Sequence, residues 1–421
     1  MSIVINKSSL KVDDLRKLVR ELTITILKPE PCTVPVYRVE TGGKIYIPFA
    51  YARKINWRGR RTSDFPKSNL KFQGTLRDEQ VEVKNEAVNG LNKTGSVIIS
   101  LPCGGGKTIT SISMAVGIKM KTLVLVNRIL LVKQWEESIH TFVPDAVVHV
   151  LKPQSKYDST DADFYIANMI NIPKIDTAFL NLFGLVIVDE CHMLLAQVLS
   201  RSLHYLTPRY LIGLSASPYR LDDCDVLLEL FFGQCRIHRK LSRYHEVQVI
   251  RTPFVPLIEK MKNGKIDWNK VLQSLADNDE RNKMIVQLVI DHPGRNFMVL
   301  SKRVEQVEKI ARLLTAKGES VTTLCGSNQV FDRSARILVA TSQKCGTGFD
   351  HKKMDTLVLC SDMDAYFIQT IGRIMRTLDT TPIVFDIVDD HFTLRRHFQN
   401  RLQVYKEIGG RIMTYKPNLI V

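Results

Sequence analysis

Two successive series of short, continuously apolar runs, separated by helix-like segments, constrain this 421-residue chain more than any other feature. The first series follows Phe72 and reads VIISLP, TLVLVN, FYIAN, LVIVDE and YLIGLSAS. The second starts near Arg295 and reads NFMVLS, SVTTLC, ILVAT, TLVLC and PIVFDIV. A strand that is apolar at every position is buried on both faces, which is the situation of a parallel sheet covered by helices on both sides. The expected fold class is therefore α/β, with two parallel-sheet domains in tandem.

The sequence ahead of them has a different texture. Lys11 to Leu27 begins helical and turns β-branched, and Val34–Val39 and Lys44–Phe49 alternate around Thr41-Gly42-Gly43 as a hairpin would. A small basic α+β module is expected over 1–70, a first α/β domain over 71–225 and a second over 226–421. The second is expected to open with a connecting or inserted segment, 226–293, whose polar stretch turns at Asn263-Gly264.

A net charge of +16 calls for a polyanionic partner, and nucleic acid is the candidate. Charge alone does not separate DNA from RNA. The excess is uneven, with fourteen Lys/Arg against six Asp/Glu in residues 1–70. Within that module Arg53, Lys54, Arg58, Arg60 and Arg61 surround Trp57, a mixture suited to phosphate contact with base stacking, although a solvated basic linker has the same composition. No apolar run approaches the roughly 18 residues of a membrane span, and the N-terminal sequence lacks a secretory pattern, so a cytosolic protein with no membrane partner is expected. The eight cysteines form no CxxC pair or zinc-like spacing and read as reduced, mostly buried thiols.

The chemistry starts where VIIS runs into Leu101-Pro102-Cys103-Gly104-Gly105-Gly106-Lys107-Thr108 ahead of a helix-like segment. Gly104, Gly105 and Gly106 let backbone N–H groups converge on phosphate oxygens at a helix N-terminus. Lys107 is placed to reach the β- and γ-phosphates of a nucleotide and Thr108 to hold Mg²⁺. Leu101 stands where the generic loop has its first Gly. Further on, the apolar strand Leu185–Val188 ends in Asp189-Glu190-Cys191-His192. Two adjacent carboxylates there are costly without a cation, which assigns Asp189 to Mg²⁺, through water, and Glu190 to the attacking water.

LPCGGGKT, VIVDECH, GLSASPYR and QTIGRIMR, in this order, resemble motifs I, II, III and VI of superfamily-two helicases, and the resemblance spans Phe72 to the C-terminus. With Leu76-Arg77-Asp78-Glu79-Gln80 upstream, it is most similar to the XPB branch and the UvsW-like phage helicases, where Leu101 is the family's own variant. The resemblance implies two RecA-like domains behind the small α+β module. It also implies ATP as fuel, read at the adenine by Gln80, and coupling of hydrolysis to movement through His192, Ser215 and Ser217. Asn127-Arg128 and Gln134-Trp135 fall where the family contacts the strand, with Arg128 as the backbone contact and Trp135 as core. Ser301-Lys302-Arg303 resembles motif IV, so Lys302 is a candidate phosphate contact; a solvated Lys-Arg pair has the same sequence.

In the second half, Gln369, Arg373 and Arg376 match QxxGRxxR, with both arginines expected on one helix face and aimed as fingers at the γ-phosphate. Thr341 to Asp350 resembles motif V, with Gly346 near nucleic acid and Asp350 at the ribose. By the same resemblance the partner is DNA, branched or forked and bound with little sequence preference. Movement is implied to be 3′→5′, with fork regression or Holliday-junction migration as its use. A monomer and a viral or phage source are the accompanying expectations. An RNA helicase and a non-hydrolysing binding protein on a helicase fold are the alternatives. No nuclease patch supports the motor subunit of a restriction enzyme.

Overall fold

The computed structural model describes residues 1–26, 32–57, 61–102, 104–152, 162–195, 202–216, 225–328, 330–346, 351, 353–363, 367–376 and 379–416. Arg58, Arg60, Ser217 and Asp350, four of the candidate site residues, lie outside them. By packing the chain divides into two units, Met1–Arg239 and Lys240–Val421.

The first unit is built on a seven-stranded sheet in the order Arg236–His238, Ser96–Ser100, Tyr210–Ser215, Leu185–Val188, Thr122–Val126, Phe164–Asn168, Val148–Leu151. Every pairing is parallel. The strands Ser96–Ser100, Thr122–Val126 and Leu185–Val188 are buried at every residue, as the apolar runs at their centres predict. Helix Asp78–Thr94 leads into the first of them and stops at Gly95, which takes φ 75° and donates its N–H to Leu91 O. A left-handed residue at that place is the standard glycine termination. The edge strand Arg236–His238 packs with this first unit, beyond the boundary near residue 225 read from the sequence.

The N-terminal module supplies a three-stranded antiparallel sheet, Ser2–Asn6, Lys44–Pro48, Arg38–Glu40, and a separate pair, Thr23–Ile26 with Cys32–Pro35. The expected hairpin therefore exists over Arg38–Pro48, with Gly42 and Gly43 at φ 105° and 79° in its turn, while Val34 pairs elsewhere. The module shares a core with the motor sheet. Ile3, Ile5, Ile47 and Phe49 cluster with Tyr165, Phe183, Leu206 and Phe231, and Ser2 N–H donates to Leu206 O at 2.7 Å.

The second unit repeats the architecture: Val321–Leu324, Ile337–Thr341, Phe297–Ser301, Thr356–Leu359, Ile383–Val388, His245–Arg251 and Gly410–Thr414, all parallel. The tandem RecA-like α/β fold expected from the sequence is thus present, with seven strands in each sheet. The expected connecting segment already contributes His245–Arg251 to this sheet, and the polar stretch after that strand holds two helices, Trp268–Asp277 and Asp279–Ile290, capped by the side chains of Asp267 and Asn278. The second buries Met284, Ile285, Leu288 and Val289 against the sheet. Gly264 turns at φ 77° where Asn263-Gly264 predicts a turn.

A buried polar network stiffens this unit. Arg401 makes a two-pronged pair with Asp386 at 2.9 Å on each prong, Tyr405 donates to the same carboxylate at 2.8 Å, and Arg401 reaches Asp362 at 2.6 Å. A buried carboxylate so paired is satisfied, whereas losing its partner leaves an uncompensated charge.

Candidate nucleotide-binding site

Parallel strands end together, so the loops that follow them gather along one edge of a sheet, which is where α/β proteins place ligands. In the first unit that edge carries the Leu101–Gly106 loop, Asn127 and Arg128, Asp189 and Glu190, and Ser215.

The glycine loop curls as its sequence predicts. Gly104 and Gly106 take φ 79° and 87°, and Gly106 caps the twelve-residue helix Lys107–Ile118. A Cβ on Gly105 would crowd Pro102 O at 3.0 Å, and one on Gly106, already strained at its positive φ, would meet Gln80 Nε2 at 2.0 Å and displace that side chain. Lys107 Nζ bends over the loop and donates to Leu101 O at 2.8 Å and Pro102 O at 3.4 Å. Arg77 and Gln80 brace the loop from the preceding helix. The Arg77 guanidinium donates to Gly104 O at 3.0 Å and Gln80 Nε2 to Gly105 O at 3.4 Å, while Gln80 Oε1 accepts from Arg77 N at 3.0 Å. An amide has two donors and two acceptor sites, so these two bonds leave Gln80 one of each.

Asp189 is buried at the end of Leu185–Val188 and fixed on both oxygens. Trp135 Nε1 donates to Oδ2 at 2.9 Å and Glu190 N to Oδ1 at 3.0 Å. Burial and then the Glu190 charge raise its pKa, and Trp135 and Lys107 pull it back down. The Lys107 ammonium therefore lies within electrostatic reach of this carboxylate. Glu190 sits at φ 49°, a left-handed conformation that costs a non-glycine residue energy and turns the chain sharply after the strand. Its Oε2 is buried without a hydrogen bond among the described residues and lies 3.4 Å from His192 Nδ1. His192 Nδ1 is also 2.9 Å from Ser215 Oγ, which ties the carboxylate turn to the end of the neighbouring strand. Cys191 is fully buried under Gly213, where a Cβ would come within 3.0 Å of its sulfur and 2.8 Å of Phe232. Burial, then Glu190 and Asp189, push its thiol pKa upward, so it is a packing residue.

The buried, cation-seeking carboxylate of Asp189 and the threonine following Lys107 fit a Mg²⁺–nucleotide complex. Trp135 was legible only as core, and buried it is; the missed signal is that a buried indole has one N–H that needs an acceptor. Removing that bond with Trp135→Phe is expected to raise the Mg²⁺ concentration for half-maximal ATP turnover about 10–100-fold, as for other groups that orient a metal-binding carboxylate. A titration of turnover against Mg²⁺ measures it, and an unchanged midpoint removes Trp135 from this role.

In the second unit, Gln369 lies in the short helix Phe367–Ile371 and is buried. The helix ends before the arginines, which follow in tight turns with Arg373 N bonded to Thr370 O and Ile374 N to Ile371 O. The expected shared helix face is thus replaced by i→i+3 turns, with Ile374 and Met375 buried. Arg373 is buried and its charge acts on Cys345, which lies in the segment Ser342–Gly346 that precedes Asp350. Lys302 follows Phe297–Ser301, its N–H donating to Ser361 Oγ at 3.1 Å. Arg128 caps helix Ile129–Phe142. Arg53, Lys54, Trp57 and Arg61 line one cavity in the first unit, away from the phosphate loop.

Residues 73–220 match the family "Type III restriction enzyme, res subunit". Across 396 residues the chain is 43% identical to putative helicase 161L of Invertebrate iridescent virus 6, covering 88% of this chain and 90% of that one. The chain belongs to the viral superfamily-two helicases. This helicase is also 23% identical over 450 residues to a putative ATP-dependent RNA helicase of Acanthamoeba polyphaga mimivirus, covering 98% of this chain and 85% of the relative. Among solved structures it is similar to S. cerevisiae Dbp5 bound to RNA and ADP BeF3, with a TM-score of 0.57 at 15% identity over 80% of this chain and 94% of that one. That likeness concerns the fold. Proteins of this class couple ATP to work on nucleic acid, and no described helix is long and apolar enough to cross a membrane.

Proposed function

We propose that the chain hydrolyses ATP at the Lys107 loop and the Asp189–Glu190 pair and uses the cycle to move along nucleic acid. The observation that carries this reading is the convergence, on one sheet edge, of a glycine-capped helix start, a lysine curled over its loop, and the buried Asp189 carboxylate, which feels the lysine's charge, with Glu190 beside it.

Lys107 and the N–H groups at the helix start bind the β- and γ-phosphates, where a helix N-terminus favours anions. Thr108 and Asp189 hold Mg²⁺, which when bound neutralises charge developing on the phosphate oxygens. Glu190 orients a water molecule and accepts its proton as the water oxygen bonds to the γ-phosphorus and the bond to ADP breaks. The buried, unbonded Oε2 of Glu190 supports that role. Gln80 presents its remaining donor and acceptor to the base. The His192–Ser215 contact passes the change at Glu190 to the next strand, with Ser217 assigned to the same function from sequence alone. Arg373, Arg376 and Gln369 act on the transferred phosphate, Asp350 on the ribose, and Arg128, Lys302 and Gly346 on the strand. These assignments rest on the motifs and the chemistry of the residues.

Two substrates compete. Branched DNA follows from the XPB-like and UvsW-like motif resemblance. Part of that resemblance is the cysteine of DECH, which is buried under Gly213 and reads as packing. RNA draws support from the mimivirus relative, whose similarity spans nearly the whole chain. The comparisons favour RNA over branch migration.

The test is ATP-dependent strand displacement on tailed RNA duplexes, tailed DNA duplexes, forks and four-way junctions, with Lys107→Ala as the blank. Displacement that needs ATP and is lost in the blank is expected. The preferred duplex selects the polymer. Failure on every duplex, or displacement by the blank, contradicts the motor reading.

A further inference from the structure

Thr94 and Gly95 precede the strand Ser96–Ser100, and Arg209 precedes Tyr210–Ser215, so these residues lie at the sheet edge opposite the phosphate loop. A cavity of about 1590 Å³ opens there, between the Phe49–Lys54 helix and Trp57 of the N-terminal module, the end of helix Asp78–Thr94, and helix Asp225–Phe232. The charged groups lining it are Arg53, Lys54, Arg61, Lys93, Arg209 and Glu229. Glu229, the lone carboxylate in this set, already sits 3.6 Å from Arg236.

Arg53 is packed into this wall. Its guanidinium stands 4.8 Å from the Phe49 ring centroid and so close to Gly95 that a Cβ there would come within 2.4 Å. Burial and then the charge of Arg209 act against its protonated form. Nε of Arg53 and Nε of Arg209 make no hydrogen bond among the described residues. Two arginines that line one cavity and repel each other are unfavourable unless an anion joins them.

The cavity exceeds the roughly 300–1,000 Å³ of small-molecule sites, and its cations come from three separate stretches of chain, more spread than one phosphate group spans. Trp57, half-buried in the same wall, offers a ring for stacking. We infer that this cleft is a second nucleic-acid site, which holds the phosphodiester backbone of an unpaired strand on the sheet edge opposite the nucleotide loop. It goes beyond the N-terminal basic stretch by joining Lys93 and Arg209 of the motor sheet to it. The inference rests on the reading of the chain as a nucleic-acid motor. A grip fixed to the first unit keeps the strand bound while the contacts that follow the ATP cycle let go.

The experiment is equilibrium binding of fluorescent single-stranded DNA and RNA to the full chain without ATP, over a series of salt concentrations. Lys54→Gln with Lys93→Gln removes two exposed cations, and Arg209→Gln removes a partly buried one. Each lost phosphate contact is expected to reduce the slope of log K against log salt by about 0.7. At low salt the lysine pair is expected to weaken binding about tenfold. Should Arg209→Gln unfold, the exposed lysine pair decides. Unchanged slope and affinity in the lysine pair overturn the inference, as does displacement of the strand by polyglutamate as readily as by unlabelled nucleic acid. Because no ATP is present, failed hydrolysis in the parent chain counts against the motor reading alone.

Discussion

Lys107→Ala is expected to lower nucleic-acid-stimulated ATP turnover by roughly 10²–10³-fold, the usual cost of deleting one group that stabilises charge in the transition state. The substituted chain should remain folded. Lys107 Nζ donates to Leu101 O and Pro102 O, two loop carbonyls. Losing these half-buried bonds costs about 0.5–1.5 kcal/mol, the usual net worth of a hydrogen bond. What is lost is the ammonium proposed to bind the phosphates, whose charge also lowers the pKa that burial and Glu190 raise at Asp189. Steady-state turnover beside a thermal unfolding curve separates the two effects. Near-normal turnover in a folded variant removes Lys107 from the centre.

Arg373→Ala carries the second large effect, a fall of about 10³–10⁵-fold in turnover at saturating ATP if it acts as an arginine finger. Arg373 is buried beside Cys345, so the alanine variant also loses packing and its unfolding midpoint must be followed. Arg373→Lys resolves the ambiguity, because it keeps the charge and most of the volume while losing the planar fork that grips two phosphate oxygens. A folded Arg373→Lys chain with turnover reduced by less than about tenfold contradicts the finger role. Arg376→Ala, at the less buried of the two arginines, is the companion variant.

Much of this architecture was legible because central strands of a doubly covered sheet cannot hide. Leu185–Val188 is apolar throughout, and Ser96–Ser100 and Phe297–Ser301 are apolar but for terminal serines, since both faces are buried. The strands that escaped, Val148–Leu151, Arg236–His238 and Gly410–Thr414, sit at sheet edges, are short and are half-exposed, so they have no such signature. His245–Arg251 escaped for another reason: it alternates polar and apolar residues although it lies between two strands. The basic module could be located by charge, but the sequence did not show that Ile3, Ile5 and Phe49 share a core with Phe183 and Phe231.

At the candidate site, Lys107, Asp189 and Glu190 could be singled out in the sequence because a glycine-rich helix start and adjacent carboxylates have few uses other than phosphate and cation chemistry, and the structure gathers them on one sheet edge. The supports could not. Arg77 looks like any helix-leading arginine until it is seen holding Gly104 O, and Trp135 looks like core until its N–H is found on Asp189. Both act through a single hydrogen bond to a residue distant in sequence, which residue type and spacing do not encode. The polymer was illegible for the opposite reason: contacts to a sugar-phosphate backbone carry no sequence code and need only cations and N–H groups.

The most direct test of the account is ATP turnover by the purified chain with and without nucleic acid, measured in parallel for single-stranded DNA, single-stranded RNA and branched DNA. The account predicts slow hydrolysis alone and a large stimulation by at least one polymer, both abolished in Lys107→Ala. Turnover that no polymer stimulates, or that survives in Lys107→Ala, contradicts it.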